Sequence, residues 1–366
     1  TAQPEGIRRG MAFVKGWLEA RDLRVSEQSH NGLPVVIAQT GAPAGQGAPH
    51  VILHGHVDVV PAPPEQFAAR VDGDRLIGRG AYDMKGALGA MMCAAQELAG
   101  QERVRITLVC VPDEEAEDVE QRATDVLVAG GLRGDFAITG EPTELRVGVQ
   151  AKGVLAVRLA VAGRAAHGST PWLGDNAILK AVDAYRQIET LPFSRESSEL
   201  FDRPSINLAR IEGGDAFNKV PDACEMVVDI RYLPGQEPEA ILGQIQAIPD
   251  LRVVRTFTRE PAQLSPRNPY VVALCDALRR QLGGGARDVL SVGRDGASDA
   301  ISFLRAGVPA VEFGPVGGGH HGPAEWVSLR SLSRYRAALV AFVLALPSAL
   351  DRPGAPELRA IEGGLA

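Results

Sequence analysis

The sequence has only four cysteines in 366 residues, Cys93, Cys110, Cys224 and Cys275, and none forms a CxxC pair. That spacing argues against a disulfide framework and a structural zinc knuckle, and fits the buried thiols of a cytoplasmic protein. There is no long basic run and the formal net charge is -7, which argues against a nucleic-acid partner. No apolar run approaches the roughly 18 residues of a spanning helix. The longest, Ala337–Leu346, suits a core helix, so no membrane partner is expected. No signal-peptide pattern is present, although the chain opens on Thr1 rather than methionine, which leaves its natural start open. Neither GxxxxGK(S/T) nor GxGxxG after a strand occurs, so the glycine-rich segment Gly314–Trp326 is not read as a phosphate loop. There is no internal repeat.

With 45% hydrophobic and 23% charged residues, the chain has the make-up of an ordinary globular protein, long enough for two or three domains. The stretch around which it is organised is HGHVDVVP, His54–Pro61, approached by Val51, Ile52 and Leu53. Such a run predicts a buried strand that delivers polar residues at its C-terminal end, where open α/β sheets carry their sites. Further strands are predicted at Val35–Ala38, Val104–Val111, Asp135–Thr139 and Ala310–Phe313, and a hairpin turns at Asp72-Gly73. Helical spacing marks Ile7–Ala20, Ala87–Leu98, Tyr270–Leu282, Ser298–Arg305 and Leu329–Leu346. From Lys152 the pattern changes. Strands at Val154–Val161, Ser205–Ile211, Glu225–Tyr232 and Arg252–Phe257 alternate with helices at Asn176–Ile188, with Asp175 as its N-cap, and Pro238–Ile248. That order is β-α-β-β-α-β. The expectation is an α/β fold with a mostly parallel central sheet from residues 1–151 and 263–366, and an inserted ferredoxin-like domain at 152–262. Residues 347–366 read as a loosely held tail.

His56 and Asp58 are two apart, so an extended backbone points them to one side, as a metal ligand and its supporting partner. A lone histidine at a strand end is also a common structural residue, but later acidic clusters favour the metal. Asp83 lies among glycines in GRGAYDMKG, a setting that suits either a helix cap or a site residue. Gathered from the strand ends, the candidates are His56, Asp58, Asp83, Glu114, Glu115, Glu141, His320 and His321. Converging carboxylates repel one another unless a cation compensates, so one or two divalent metals are expected. The mix of imidazole and carboxylate suits Zn2+, with Co2+ or Mn2+ as substitutes.

Five ordered motifs then stand out: HGHVDVVP, GRGAYDMKG, Asp113-Glu114-Glu115, GEPT at 140–143, and a late histidine followed by PAEW. They resemble, over nearly the whole chain, the di-zinc exopeptidase and deacylase family that includes succinyl-diaminopimelate desuccinylase, acetylornithine deacetylase and glutamate carboxypeptidase. The resemblance implies two zinc ions per chain. His56 and Glu141 would hold one, Glu115 and a late histidine the other, and Asp83 would bridge them, with a cis peptide at Asp83-Met84. Asp58 would orient His56, and Glu114 would be the general base, with Glu115 facing the other way as adjacent strand residues do. Glu325 lies four residues after His321, the family's usual spacing, which favours His321 over His320.

In the inserted domain, His167 in GRAAHGSTP resembles the histidine that in dimeric relatives reaches the other subunit's site and stabilises an oxyanion; a turn cap is the alternative. Asn218 and Arg231 match substrate-binding positions, although a surface salt bridge also suits Arg231. Gly296, Ser298 and Asp299 in RDGASDA resemble a pocket-lining loop, and Arg294 departs from the usual glycine there and is a candidate carboxylate reader. The implied activity is metal-dependent hydrolysis of the amide bond in a small N-acyl amino acid. A zinc carboxypeptidase or dipeptidase acting on a short peptide is the alternative, and a noncatalytic binding relative is the alternative of another class. Homodimerisation through the inserted domain is expected.

Overall fold

Helix α1 (Pro4–Glu19) turns Ile7, Met11, Val14 and Leu18 inward, the stripe of an amphipathic helix, with Pro4 in the first turn where its missing N–H costs nothing. Trp17 is outside that stripe, and its ring carries the Arg21 guanidinium at 3.7 Å. A hairpin follows, β1 (Arg24–His30) and β2 (Leu33–Gly41), turned at Asn31-Gly32, where both φ angles are positive. Next come β3 (His50–His56), the small hairpin β4 (Arg70–Asp72) and β5 (Arg75–Ile77), and α2 (Gly86–Glu97). The first part closes with β6 (Arg105–Val111), α3 (Ala123–Ala129), β7 (Phe136–Thr139) and β8 (Val147–Ala151). The computed structural model describes residues 3–45, 47–116, 121–282 and 292–351. They form two units: Thr1–Val149 with Leu264–Val292 and Ser298–Ala366, and Gln150–Gln263 with Gly293–Ala297.

The second unit contains β9 (Gly153–Ala162), α4 (Ala177–Ile188), β10 (Ser205–Gly213), β11 (Ala223–Tyr232), α5 (Pro238–Gln246), β12 (Leu251–Arg259) and β13 (Ala262–Gln263). Its sheet runs β10-β11-β9-β12 with every neighbour antiparallel, the split β-α-β-β-α-β arrangement. Alternate residues Leu155, Val157 and Leu159 on β9 and Met226, Val228 and Ile230 on β11 share one core with Ala177, Ala181, Ala184, Ile188, Ile241 and Ile245 from the helices. The N-cap of α4 is Asn176, not the expected Asp175: Asn176 Oδ1 accepts from the N–H groups of Ile178 and Leu179. Asp175 pairs with Lys180 instead, 3.0 Å away.

The first unit resumes with α6 (Pro269–Leu282); β14 (Val292–Arg294) crosses into the second unit, and the first continues with α7 (Ala300–Arg305), β15 (Ala310–Phe313), β16 (Gly317–Gly318), β17 (Trp326–Ser328) and α8 (Leu329–Leu350). The order of the large sheet is β1-β2-β6-β3-β7-β15-β8-β13. It is mixed: β6, β3, β7 and β15 are mutually parallel in the middle, and β1, β2 and β8 pair antiparallel at the margins. Parallel strands are covered on both faces, which is why these four read as continuous apolar runs. Ile52, Val109 and Val111 pack with Ala123, Leu127 and Phe303 from α3 and α7. Phe136 stacks on Tyr270 of α6 at 5.2 Å and meets Phe342 of α8 at 5.9 Å.

Helix α8 is long and apolar enough to cross a membrane. It nevertheless carries Arg330, Arg334 and Arg336, and it buries Tyr335, Leu339, Phe342, Val343 and Leu346 in contact with α6 and α2, so it is a core helix. It also runs through Pro347 to Leu350, into the segment expected as tail; residues 352–366 lie outside the described residues.

The turn after β7 leaves no room for a side chain. A Cβ on Gly140 would lie 2.5 Å from Met84 Cε and 3.0 Å from Ala87 Cβ. Gly140→Ala is therefore expected to destabilise the fold by about 1–3 kcal/mol through overpacking. A lowered urea midpoint at unchanged slope is the expected readout, and an unchanged midpoint would mean that Met84 yields freely.

Candidate metal centre

The four parallel strands bring their C-terminal ends to one edge, and β3, β6 and β7 hand over to polar residues there. His56 is the last residue of β3 and fully buried. Its Nε2 lies 3.2 Å from Asp83 Oδ1 and 3.9 Å from Glu141 Oε1. Its Nδ1 faces Asp58, 3.0 Å from the backbone carbonyl and 3.4 Å from the carboxylate. The Asp58 carboxylate in turn accepts from the backbone N–H groups of Glu114, at 3.1 Å, and Glu115, at 2.9 Å. One aspartate thus sets both the ring of His56 and the turn after β6.

Asp83 occupies the middle. Besides His56, its other oxygen, Oδ2, lies 2.6 Å from His320 Nε2 and 3.1 Å from His321 Nε2. His321 Nε2 also reaches Glu115 Oε1 at 3.0 Å. The Asp83-Met84 peptide is cis. His321 adopts a left-handed backbone, φ 57°, in the turn closed by Gly322 N–H donating to the Gly319 carbonyl. Two donor groups therefore share Asp83: His56, Asp83 and Glu141, and Asp83, His320 and His321; within each group the ligand atoms lie within 4.8 Å of one another.

The electrostatics favour positive charge at this point. Burial, with Asp83 adding to it, pushes Glu141 well above the usual carboxylate range. Asp83 itself is held well below that range, because the three histidines outweigh its burial. Hydrogen bonds to Asp83 and Glu115 raise His321 to about 10. Protons and metal ions compete for such lone pairs, so a field that draws protons this strongly also draws a divalent cation. The mixed histidine and carboxylate donors, their spacing and this field all fit the expected metal.

Glu114 points elsewhere. It pairs with the Arg122 guanidinium, which also donates to Asp299 Oδ1 at 3.3 Å. Burial pushes Glu114 up to about 8, with Arg122 pulling the other way. Glu114 and Glu115 do diverge, but not through strand alternation: β6 ends at Val111, and the two glutamates sit in a turn held by Asp58.

The profile of peptidase family M20/M25/M40 matches residues 52–345. The chain belongs to this family. Membership makes this M20 protein an amide-bond hydrolase in class. It is 32% identical over 334 residues to the succinyl-diaminopimelate desuccinylase of Granulibacter bethesdensis, covering 83% of this chain and 85% of that one. It is 33% identical over 235 residues to a protein of Pyrobaculum aerophilum named as a LysW-lysine/LysW-ornithine hydrolase; the match covers 64% of each, less than two thirds of that relative. Among solved structures, the M20 family metallo-carboxypeptidase Sso-CP2 from Sulfolobus solfataricus shares the fold, with a TM-score of 0.76 at 19% identity over 94% of this chain and 95% of that one.

The remaining candidates of the M20 chain have plain local surroundings. His167 is exposed, and its Nδ1 lies 2.8 Å from Ser169 Oγ. Its loop runs beside that of Asn218, whose carbonyl accepts from Gly168 N–H at 2.7 Å. Arg231 is ion-paired with Asp229 at 3.1 Å, the salt-bridge alternative. The Arg294 carbonyl accepts from Lys152 N–H, and Gly296 faces open space. Ser298 is buried and its Oγ accepts from Ala300 N–H at the start of α7, a capping contact. Sequence reasoning missed Arg122 and Arg79. Nothing marks Arg122 in the sequence, whereas Arg79 stands inside the GRGAYDMKG motif.

Proposed function

We propose that this M20 protein is a two-zinc amidohydrolase that removes the acyl group from a small N-acyl amino acid, in the manner of succinyl-diaminopimelate desuccinylase or acetylornithine deacetylase. The observation that carries the reading is Asp83 shared between two donor groups. His56 and Glu141 would hold one ion, Glu115 and His321 the other, with Asp83 between them and Co2+ or Mn2+ as substitutes. Zinc in these positions would polarise the scissile carbonyl and acidify water.

Glu114 takes the proton from the attacking water as the new C–O bond forms, then returns it to the leaving nitrogen as the amide C–N bond breaks. Asp58 keeps the His56 ring aimed, through its Nδ1. A binding-only relative would have lost the base or a ligand, whereas Glu114 and every expected ligand position are present. The name of the relative matched over 85% of its length favours the desuccinylase branch. The same proposal includes homodimerisation through the inserted unit, with His167 serving the other copy, and a cytoplasmic location, which the buried free thiols Cys110, Cys224 and Cys275 support.

Amine release from N-succinyl, N-acetyl and N-formyl amino acids, dipeptides and C-terminal glutamate peptides, using zinc-loaded enzyme, tests the substrate class. Turnover confined to acyl amino acids is expected. It would direct attention to Arg231 and Arg294 as carboxylate readers. Preferential cleavage of peptides would move the protein to the carboxypeptidase or dipeptidase branch.

A further inference from the structure

The two donor groups meet at Asp83, yet the segments that supply them are far apart in sequence. A buried ion pair joins them. Glu325 and Arg79 are 2% and 7% exposed, and Arg79 Nη1 donates to Glu325 Oε2 at 2.6 Å across 246 positions of chain. The same Oε2 accepts from Gly80 N–H at 3.0 Å, while Oε1 accepts from Tyr82 N–H at 2.9 Å and Asp83 N–H at 3.1 Å. One carboxylate thus receives three backbone N–H groups of the Asp83 segment. The guanidinium reaches the opposite way: Arg79 Nη2 donates to the carbonyls of His321, at 3.0 Å, and Gly322, at 3.1 Å, and to Gln66 Oε1 at 3.2 Å.

We infer that the Arg79–Glu325 pair is a positioning clamp that holds the late-histidine loop against the Asp83 segment and thereby sets the affinity of the second metal position. The inference rests on the two-metal reading above. A buried ion pair is a poor source of net stability, because desolvation offsets much of its attraction. Its geometry is informative instead, since each partner bonds the backbone of a ligand-bearing loop. His56 and Glu141, by contrast, are placed by the ends of β3 and β7, which the clamp does not touch. Loss of the clamp therefore weakens the Glu115–His321 position more than the His56–Glu141 position.

Glutamine is the sharpest substitution. Both Glu325 oxygens accept two donors each, so an amide in either flip turns its NH2 toward two N–H groups. Arg79→Lys is the second variant: it keeps the charge but not the fork that reaches His321, Gly322 and Gln66. The experiment titrates metal-free full chain with Zn2+ by calorimetry, alongside thermal unfolding of each metal-free protein. Wild type is expected to take up two ions. In Glu325→Gln and Arg79→Lys one of the two ions should lose about 10–100-fold in affinity, the usual effect of removing a ligand's supporting partner, while the other changes much less.

Should Glu325→Gln fail to fold, Arg79→Lys carries the test. Two ions bound with wild-type affinities by a folded variant would overturn the clamp alone, as would equal weakening of both ions. Wild type that takes up no zinc would overturn the two-metal reading, and the clamp with it.

Discussion

Glu114→Ala is expected to lower kcat by about 10²–10⁴-fold, the range removed with a general base, while zinc uptake stays at the wild-type level. The two readouts separate because Glu114 is not among the residues grouped around Asp83; its carboxylate is turned to Arg122 instead. The variant should fold, since Arg122 retains Asp299 as a partner when Glu114 is removed and no guanidinium is stranded. Rate measurement on a substrate from the panel, together with metal analysis of the same sample, makes the check. Near-normal kcat would remove Glu114 from the base role, and loss of zinc would place it among the ligands.

Asp83→Ala has the larger effect on metal. Asp83 is the one residue common to both donor groups, with one oxygen toward His56 and the other toward His320 and His321. On the two-metal reading, its loss is expected to weaken both ions by more than the roughly 10–100-fold typical when only a supporting partner is removed. Activity follows the metal, and added zinc restores little of it. Calorimetric titration gives the decisive number: two ions retained at wild-type affinity would refute the bridging role. Comparison with Glu325→Gln is informative, because that change is expected to weigh mainly on one position and Asp83→Ala on both.

Much of this arrangement was legible in the amino-acid sequence. Apolar runs ending in HGHVD, PDEE and GEPT predict strands whose C-terminal ends carry the chemistry, and the structure gathers those ends at one edge of a sheet. The inserted β-α-β-β-α-β pattern could be read because strand and helix periods differ and its segments are short. Other features were not legible for reasons that can be named. Strand β1 has almost no apolar alternation, so its hairpin with β2, turned at Asn31-Gly32, has no hydrophobic signature. The marginal strands pair antiparallel, which the buried central strands do not foretell. Arg231 lies beside Asp229 on the same strand face, two residues away, so its salt bridge was as readable as a ligand role.

By itself the sequence determined which residues can do chemistry and on which strand ends they stand, because local periodicity and motif spacing are written in consecutive residues. Tertiary structure alone decided how those residues are aimed. It turned Glu114 to Arg122 and Glu115 to His321 by hanging their turn on Asp58, and it brought Arg79 to Glu325 from 246 positions away. Such pairs join segments with no common period, and the direction of a buried carboxylate depends on which donors the fold places around it.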